Sequence, residues 1–179
     1  EFDTLGYPFK LDSFVQLNFN AIAKGYLVDL IGNYLNQENR ENYMVEVGGE
    51  VVANGVNLFG EPWRVGINTP LIGADPLNFF EVTELNNQAL ATSGNYQNFY
   101  KIDNKLIGHT IDPRAGQPMI NELRSASILH KNCAVADAYA TACMTLGLEK
   151  TKKIISNDSS ISAYLIYEND STLEGVFVR

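Results

Sequence analysis

Apolar positions in this chain recur at two spacings, one suited to helices and one to strands. From Ala21 they return at Ile22, Ala23, Tyr26, Leu27, Leu30, Ile31 and Leu35. That three-and-four spacing predicts a helix over Ala21 to Asn36, with Asn20 as its N-cap. Asn132 to Gly147 is rich in Ala, Leu and Met and predicts a second helix, stopped by Gly147. Leu148 to Ser156 predicts a short one after it. Strand-like runs cover Phe14–Phe19, Tyr43–Val47, Glu50–Ala53, Trp63–Asn68 (ended by Pro70), Phe79–Thr83, Gln88–Thr92, Asn98–Lys101, Lys105–Ile111, Ser125–Leu129, Ile161–Tyr167 and Leu173–Val178. Asn86-Asn87 reads as a turn pairing Phe79–Thr83 with Gln88–Thr92. Asp103-Asn104 and Asn169-Asp170-Ser171 read as turns of two further hairpins. Glu1 to Val15 is irregular. About four helices and about nine strands, mostly in hairpins, argue α+β: a mixed, largely antiparallel sheet with flanking helices. The 179 residues fit a single domain, 1–179.

Composition narrows the function more than the fold. The net charge is −8, which excludes a nucleic-acid or anionic-membrane surface as a general partner. A local basic pocket for phosphate remains open, with Lys24 and Arg114 as its cations. The two cysteines, Cys133 and Cys143, would stand about 15 Å apart along a helix, too far for a disulfide. No apolar run reaches the roughly 18 residues of a transmembrane helix. The chain begins at Glu1 without an initiator Met or a signal peptide, as expected of a processed or trimmed piece.

Five places carry candidate chemistry. Asp137 and Thr141 are four apart, on one helix face. A carboxylate beside a hydroxyl suits a hard cation such as Mg2+; equally, Ala-rich helices pack, and their Thr side chains back-bond. Lys24, in a first helical turn, opposes the helix dipole. It either joins the free N–H groups in a phosphate site or extends into water. Gly48-Gly49 marks a turn or a close approach of ligand to backbone. Thr92-Ser93-Gly94 turns the chain or donates to a ligand. His109 is a structural histidine or a proton acceptor near neutral pH. A Ser93 hydrolase lacks the expected G-x-S-x-G elbow.

Five blocks, in order, resemble the ApbE family of FAD:protein FMN transferases. They are Asn20-Ala21-Ile22-Ala23-Lys24-Gly25-Tyr26, Val47-Gly48-Gly49-Glu50, Ala91-Thr92-Ser93-Gly94-Asn95-Tyr96, His109-Thr110-Ile111-Asp112-Pro113-Arg114-Ala115-Gly116, and Ala136 to Gly147. The family pattern is roughly AIAKGYxVD, VxxGGD, a Trp followed by GIxxP, ATSGxY, HIIDPRTG and ADAxxTAxxxLG. This chain departs from it at Glu50 (Asp in the pattern), Thr110 (Ile) and Ala115 (Thr). The resemblance implies an ApbE-like fold represented by its C-terminal portion, with the usual N-terminal portion lacking. It implies Mg2+-dependent transfer of FMN from FAD to a threonine of an acceptor flavoprotein, with release of AMP. The alternative is a member that binds FAD, or hydrolyses it to FMN and AMP, without protein transfer. By resemblance, Mg2+ is held by the Ala21 carbonyl, Asp137 and Thr141, and His109 activates the acceptor hydroxyl. Lys24, Gly48, Gly49, Glu50, Thr92, Ser93, Gly94, Asp112 and Arg114 lie at the FAD site. The resemblance also implies the periplasm or the extracytoplasmic face of the bacterial inner membrane, reached through a lipid anchor not present in this chain.

Overall fold

The structure, a computed structural model, describes residues 1–95, 99–102, 105–108, 111–112, 116–119 and 121–179. Its elements in chain order are α1 (Ala23–Gln37), β1 (Tyr43–Val47), β2 (Glu50–Asn54), β3 (Trp63–Asn68), β4 (Phe79–Leu85), β5 (Gln88–Gly94), β6 (Phe99–Ile102), β7 (Lys105–Gly108), β8 (Ile111–Asp112), β9 (Gln117–Pro118), β10 (Leu123–His130), α2 (Cys133–Leu146), α3 (Leu148–Ser156), β11 (Ser162–Asn169) and β12 (Thr172–Val178). Six strands form one sheet in the order β1-β2-β5-β10-β11-β12. Each ladder in that sheet is antiparallel. This is the α+β architecture expected, with three helices rather than about four among the described residues.

Alternation along the strands divides the core in two. Ala91, Ala126, Ile128, Ala163 and Leu165 pack with Ala136, Ala140, Met144 and Ile155 on the helical side. Leu90, Leu129 and Ile166 pack with Ile67 and Leu85 of the β3–β4 hairpin on the other. The molecule is therefore three layers: helices, a six-stranded sheet and a two-stranded cover.

Helix α2 forms where its composition predicts. Asn132 caps it, its side chain accepting from Val135 N–H at 2.9 Å, and Gly147 ends it at φ 75°. Asn132→Ala is expected to cost about 1 kcal/mol. In a chain of this size that lowers the thermal midpoint by roughly 2–4 °C, measurable by scanning calorimetry.

Three expectations are corrected. Helix α1 starts at Ala23, and Ile22, not Asn20, is its N-cap, without a side-chain bond. The turn before it closes on the Phe19 carbonyl, which accepts from Ile22 and Ala23 N–H. Its buried residues are Gly25, Val28 and Gly32, whereas Ile22, Tyr26, Leu27 and Leu30 are exposed. The helix packs through its glycines because they permit the closest backbone approach. Phe14–Phe19 is not a strand but exposed irregular chain, with no neighbour to complete a ladder. Finally, β4 and β5 are not partners. β4 pairs with β3, and β5 enters the main sheet between β2 and β10.

Candidate functional site

The first turn of α1, the β1–β2 turn, the end of β5 and the middle of α2 meet in one place. Gly25 makes this possible. A Cβ there would lie 2.5 Å from the Cys133 carbonyl oxygen and 2.8 Å from Ala134 Cα. The small residues of α2 thus receive another backbone, as their composition suggests. At the crossing, Gly25 N–H donates to Asp137 Oδ2 at 3.1 Å. Gly25 is the third residue of α1, and the first N–H groups of a helix have no partner within it. The Ala21 carbonyl, two residues before the helix, accepts no backbone hydrogen bond among the described residues.

Lys24 extends over the β1–β2 turn. Its Nζ lies 2.5 Å from Glu50 Oε2 and donates to the Gly48 carbonyl at 3.2 Å. Lys24 is half-exposed, while Glu50 is buried at 1% exposure. The ammonium is thus the counter-charge of a carboxylate sealed from water. Gly48 and Gly49 adopt φ of 60° and 97°, which side chains rarely tolerate. Gly49 N–H donates to Glu46 Oε1 at 2.6 Å.

Strand alternation divides the Thr92-Ser93-Gly94 block. Ser93 Oγ lies 3.3 Å from Thr141 Oγ1, on the helical side. Thr92 and Gly94 face the opposite way. They line a cleft of about 510 Å³, together with Gly48, Gly49 and Val65–Asn68. Thr92 Oγ1 is 2.8 Å from Ser127 Oγ. Asp112 stands half-buried in β8, its carbonyl accepting from Gly116 N–H at 2.8 Å. His109 and Arg114 lie outside the described residues.

Two buried carboxyls titrate abnormally. Burial pushes Asp137 above its usual range, against the pull of the Gly25 N–H and the Lys24 charge. Burial also pushes Glu50 up, against its bond and charge interaction with Lys24; the Asp137 charge adds to the rise. Folded values above the unfolded ones give a definite sign. Their stabilising contribution is whole below about pH 4, the ordinary carboxyl range, and is lost as pH climbs through the folded values. In metal-free buffer, Glu50→Gln is therefore expected to lose less thermal stability than the wild type as pH rises from about 4.5 toward neutrality. Equal slopes in fluorescence melts would refute the assignment.

The sequence reading missed Gly25 as the contact residue, Ser127 as the partner of Thr92, and Asp29. Asp29 Oδ1 and Oδ2 accept from Cys133 and Ala134 N–H at 2.8 and 2.9 Å. Asp29 matches the acid that ends the AIAKGYxVD pattern, three residues past the first block, which was the available signal.

Among the described residues no cluster of three His, Cys, Asp or Glu side chains could hold a metal ion. The donors this chain offers instead are the Asp137 carboxylate, the Thr141 hydroxyl one turn along α2 and the Ala21 carbonyl just before α1. All are hard oxygens, the kind Mg2+ takes.

Comparison with known proteins identifies the family. Residues 7–165 match the profile of the ApbE family. The chain is 37% identical over 154 residues to a Vibrio cholerae protein named FAD:protein FMN transferase, a match covering 86% of this chain and 45% of that one. It is 34% identical over 156 residues to an Escherichia coli protein of the same name, covering 87% and 44%. The apo flavinyl transferase ApbE of Pseudomonas stutzeri superposes with a TM-score of 0.78 at 32% identity, over 92% of this chain and 50% of that one. An ApbE protein from Thermotoga maritima superposes with a TM-score of 0.82 at 25% identity, over 97% and 55%. The chain thus spans about half the length of the relatives it matches.

Proposed function

The chain belongs to the ApbE family, and on that premise we propose that it transfers FMN from FAD to a threonine of an acceptor protein. The threonine oxygen attacks the phosphorus that bears the riboflavin. The bond to the bridging oxygen breaks, and AMP leaves with that oxygen. The hydroxyl proton passes to a base, the role we assign to His109.

The observation that carries the reading is the Gly25–Asp137 bond. It holds one oxygen of Asp137 at a helix crossing where Thr141 stands one turn from Asp137 and Ala21 lies just before α1. These three residues would hold Mg2+, which when bound supplies positive charge to the diphosphate. The chain's own groups do the rest. Lys24 offers a second cation at the rim of the glycine-lined cleft. Gly48, Gly49 and Gly94 let a large planar ligand approach the backbone. Thr92 presents a hydroxyl from the cleft wall.

The test is incubation with FAD and Mg2+, with and without a peptide carrying an Asp and an acceptor Thr, read by mass spectrometry. The expected result is an FMN-sized mass gain on the peptide, abolished by EDTA. FMN and AMP without a modified peptide would replace transfer by hydrolysis. No turnover and no change in flavin fluorescence would sink both readings.

We extend the proposal to location. The native protein acts on the extracytoplasmic side of a bacterial membrane. Family resemblance is the support for this. No helix among the described residues is long and apolar enough to cross a membrane. Recovery of the native protein in the cytosolic fraction would count against it.

A further inference from the structure

Helices α1 and α2 hold each other by a reciprocal exchange. From α1, the Asp29 carboxylate takes two N–H groups at the start of α2, those of Cys133 and Ala134. From α2, the Asp137 carboxylate takes the Gly25 N–H at the start of α1. Gly25 and Asp29 are one turn apart, and so are Cys133 and Asp137. The two contacts are therefore successive rungs of one antiparallel register. Thr141 lies one further turn along α2, and the chain enters α1 through Ala21 and Ile22.

The Asn132 side chain takes the Val135 N–H locally, which leaves the Cys133 and Ala134 N–H groups to Asp29. What Asp29 adds is a charge-assisted, two-point hold delivered from a distant part of the chain. It fixes how far α2 is slid and rotated along α1. Without it, the Gly25–Asp137 bond is the side-chain hydrogen bond left between the two helices, and packing alone holds the start of α2 against α1. The carboxylate in that bond would then be asked to hold the helix and a cation together.

We propose that Asp29 is a positioning residue: its hold on the start of α2 sets the register that presents Asp137 and Thr141, with the Ala21 carbonyl, to a divalent cation. This rests on the metal reading given above. It is separable from that reading, because Asp29 touches none of the three proposed ligands in the described contacts. Partners that orient metal ligands typically change affinity by about 10–100-fold when removed.

The experiment uses the full chain and Mn2+ as a paramagnetic stand-in for Mg2+, with free Mn2+ counted by electron paramagnetic resonance. Asp29→Ala is expected to weaken Mn2+ binding by about 10–100-fold. Asp29→Asn keeps the shape but turns an amide N–H toward one of the donors, and is expected to weaken it by at least about 10-fold. Leu85→Ala supplies the control for stability, since Leu85 is fully buried in the hairpin-side core, away from both helices. It is expected to lower the melting temperature and leave Mn2+ affinity within about twofold of the wild type. If Asp29→Asn melts at a lower temperature but binds Mn2+ as the wild type does, Asp29 is only a cap and the proposal is overturned. If the wild type itself binds no Mn2+, the metal reading falls and takes this inference with it. If Leu85→Ala weakens Mn2+ as much as Asp29→Ala, the effect is general loosening, and the proposal is likewise overturned.

Discussion

Asp137→Asn is expected to lower FMN transfer by about 10²–10³-fold while leaving the protein as stable as before, or more so. The two halves of that expectation have one origin. The carboxylate is buried at 3% exposure, and burial holds it above the ordinary carboxyl range. An amide has the same shape and keeps an oxygen for the Gly25 N–H, so the helix crossing survives. It has no charge to bury, so a standing cost to the metal-free fold disappears. On the proposed function, catalysis loses the carboxylate that would hold the cation. A bound metal supplies several kcal/mol of transition-state charge stabilisation, and about 1.4 kcal/mol is a factor of ten in rate. Losing about 3–4 kcal/mol of it gives the stated range. AMP release at saturating Mg2+, followed with melting curves on the same preparations, measures both. A variant that turns over within threefold of the wild type would remove Asp137 from the site. One that is inactive because it is unfolded would show that Gly25 requires the charge.

The second large effect is on stability. Lys24→Met is expected to cost about 2 kcal/mol at neutral pH, a fall of roughly 4–8 °C in melting temperature for a chain this long. The reason is the partner left behind. Glu50 is sealed from solvent, and Lys24 is the counter-charge beside it. Stripping one member from a wholly buried pair costs about 3–5 kcal/mol. The figure here is smaller because Lys24 is half-exposed, where screening weakens the attraction, and because Glu50 can take up a proton instead. It follows that the loss shrinks as pH falls toward the carboxyl range. The double variant Lys24→Met/Glu50→Gln removes both charges and is expected to recover most of the stability, but not the activity. That recovery is the coupling term of a double-mutant cycle. Without it, Glu50 does not depend on Lys24.

Much of this fold can be read directly from the residue order. Helix α2 declares itself through its composition and through Asn132 and Gly147 at its ends. The closing β11–β12 hairpin turns where Asn169-Asp170-Ser171 predicts, with Asp170 and Ser171 at positive φ. What escapes the sequence is decided between distant segments. Asn86-Asn87 has the chemistry of a tight turn, and Asn87 does adopt a φ of 50°. Yet Ala89, Leu90 and Ala91 are buried in succession, which requires cover on both faces of the strand. Only the middle of the main sheet provides that, so β5 leaves β4 behind in the outer layer. The α1 face fails for a related reason. Apolar spacing marks a helix but not which side is buried, and here two glycines outrank the larger residues because they fit against a neighbouring backbone. The site divides along the same line. Its blocks are visible as strings of residues. The roles of Gly25 and Asp29 exist only once two helices have crossed.

Strand β5 sends Thr92 and Gly94 toward the cleft and Ser93 toward α2. One stretch of backbone thereby serves two masters on opposite sides. A lineage can exchange the residues at alternate positions to reshape the cleft while the side facing α2 keeps its form. On the proposed function, recognition is then free to drift without chemistry drifting with it. In laboratory evolution, Thr92 is accordingly a position to diversify and Ser93 one to hold constant.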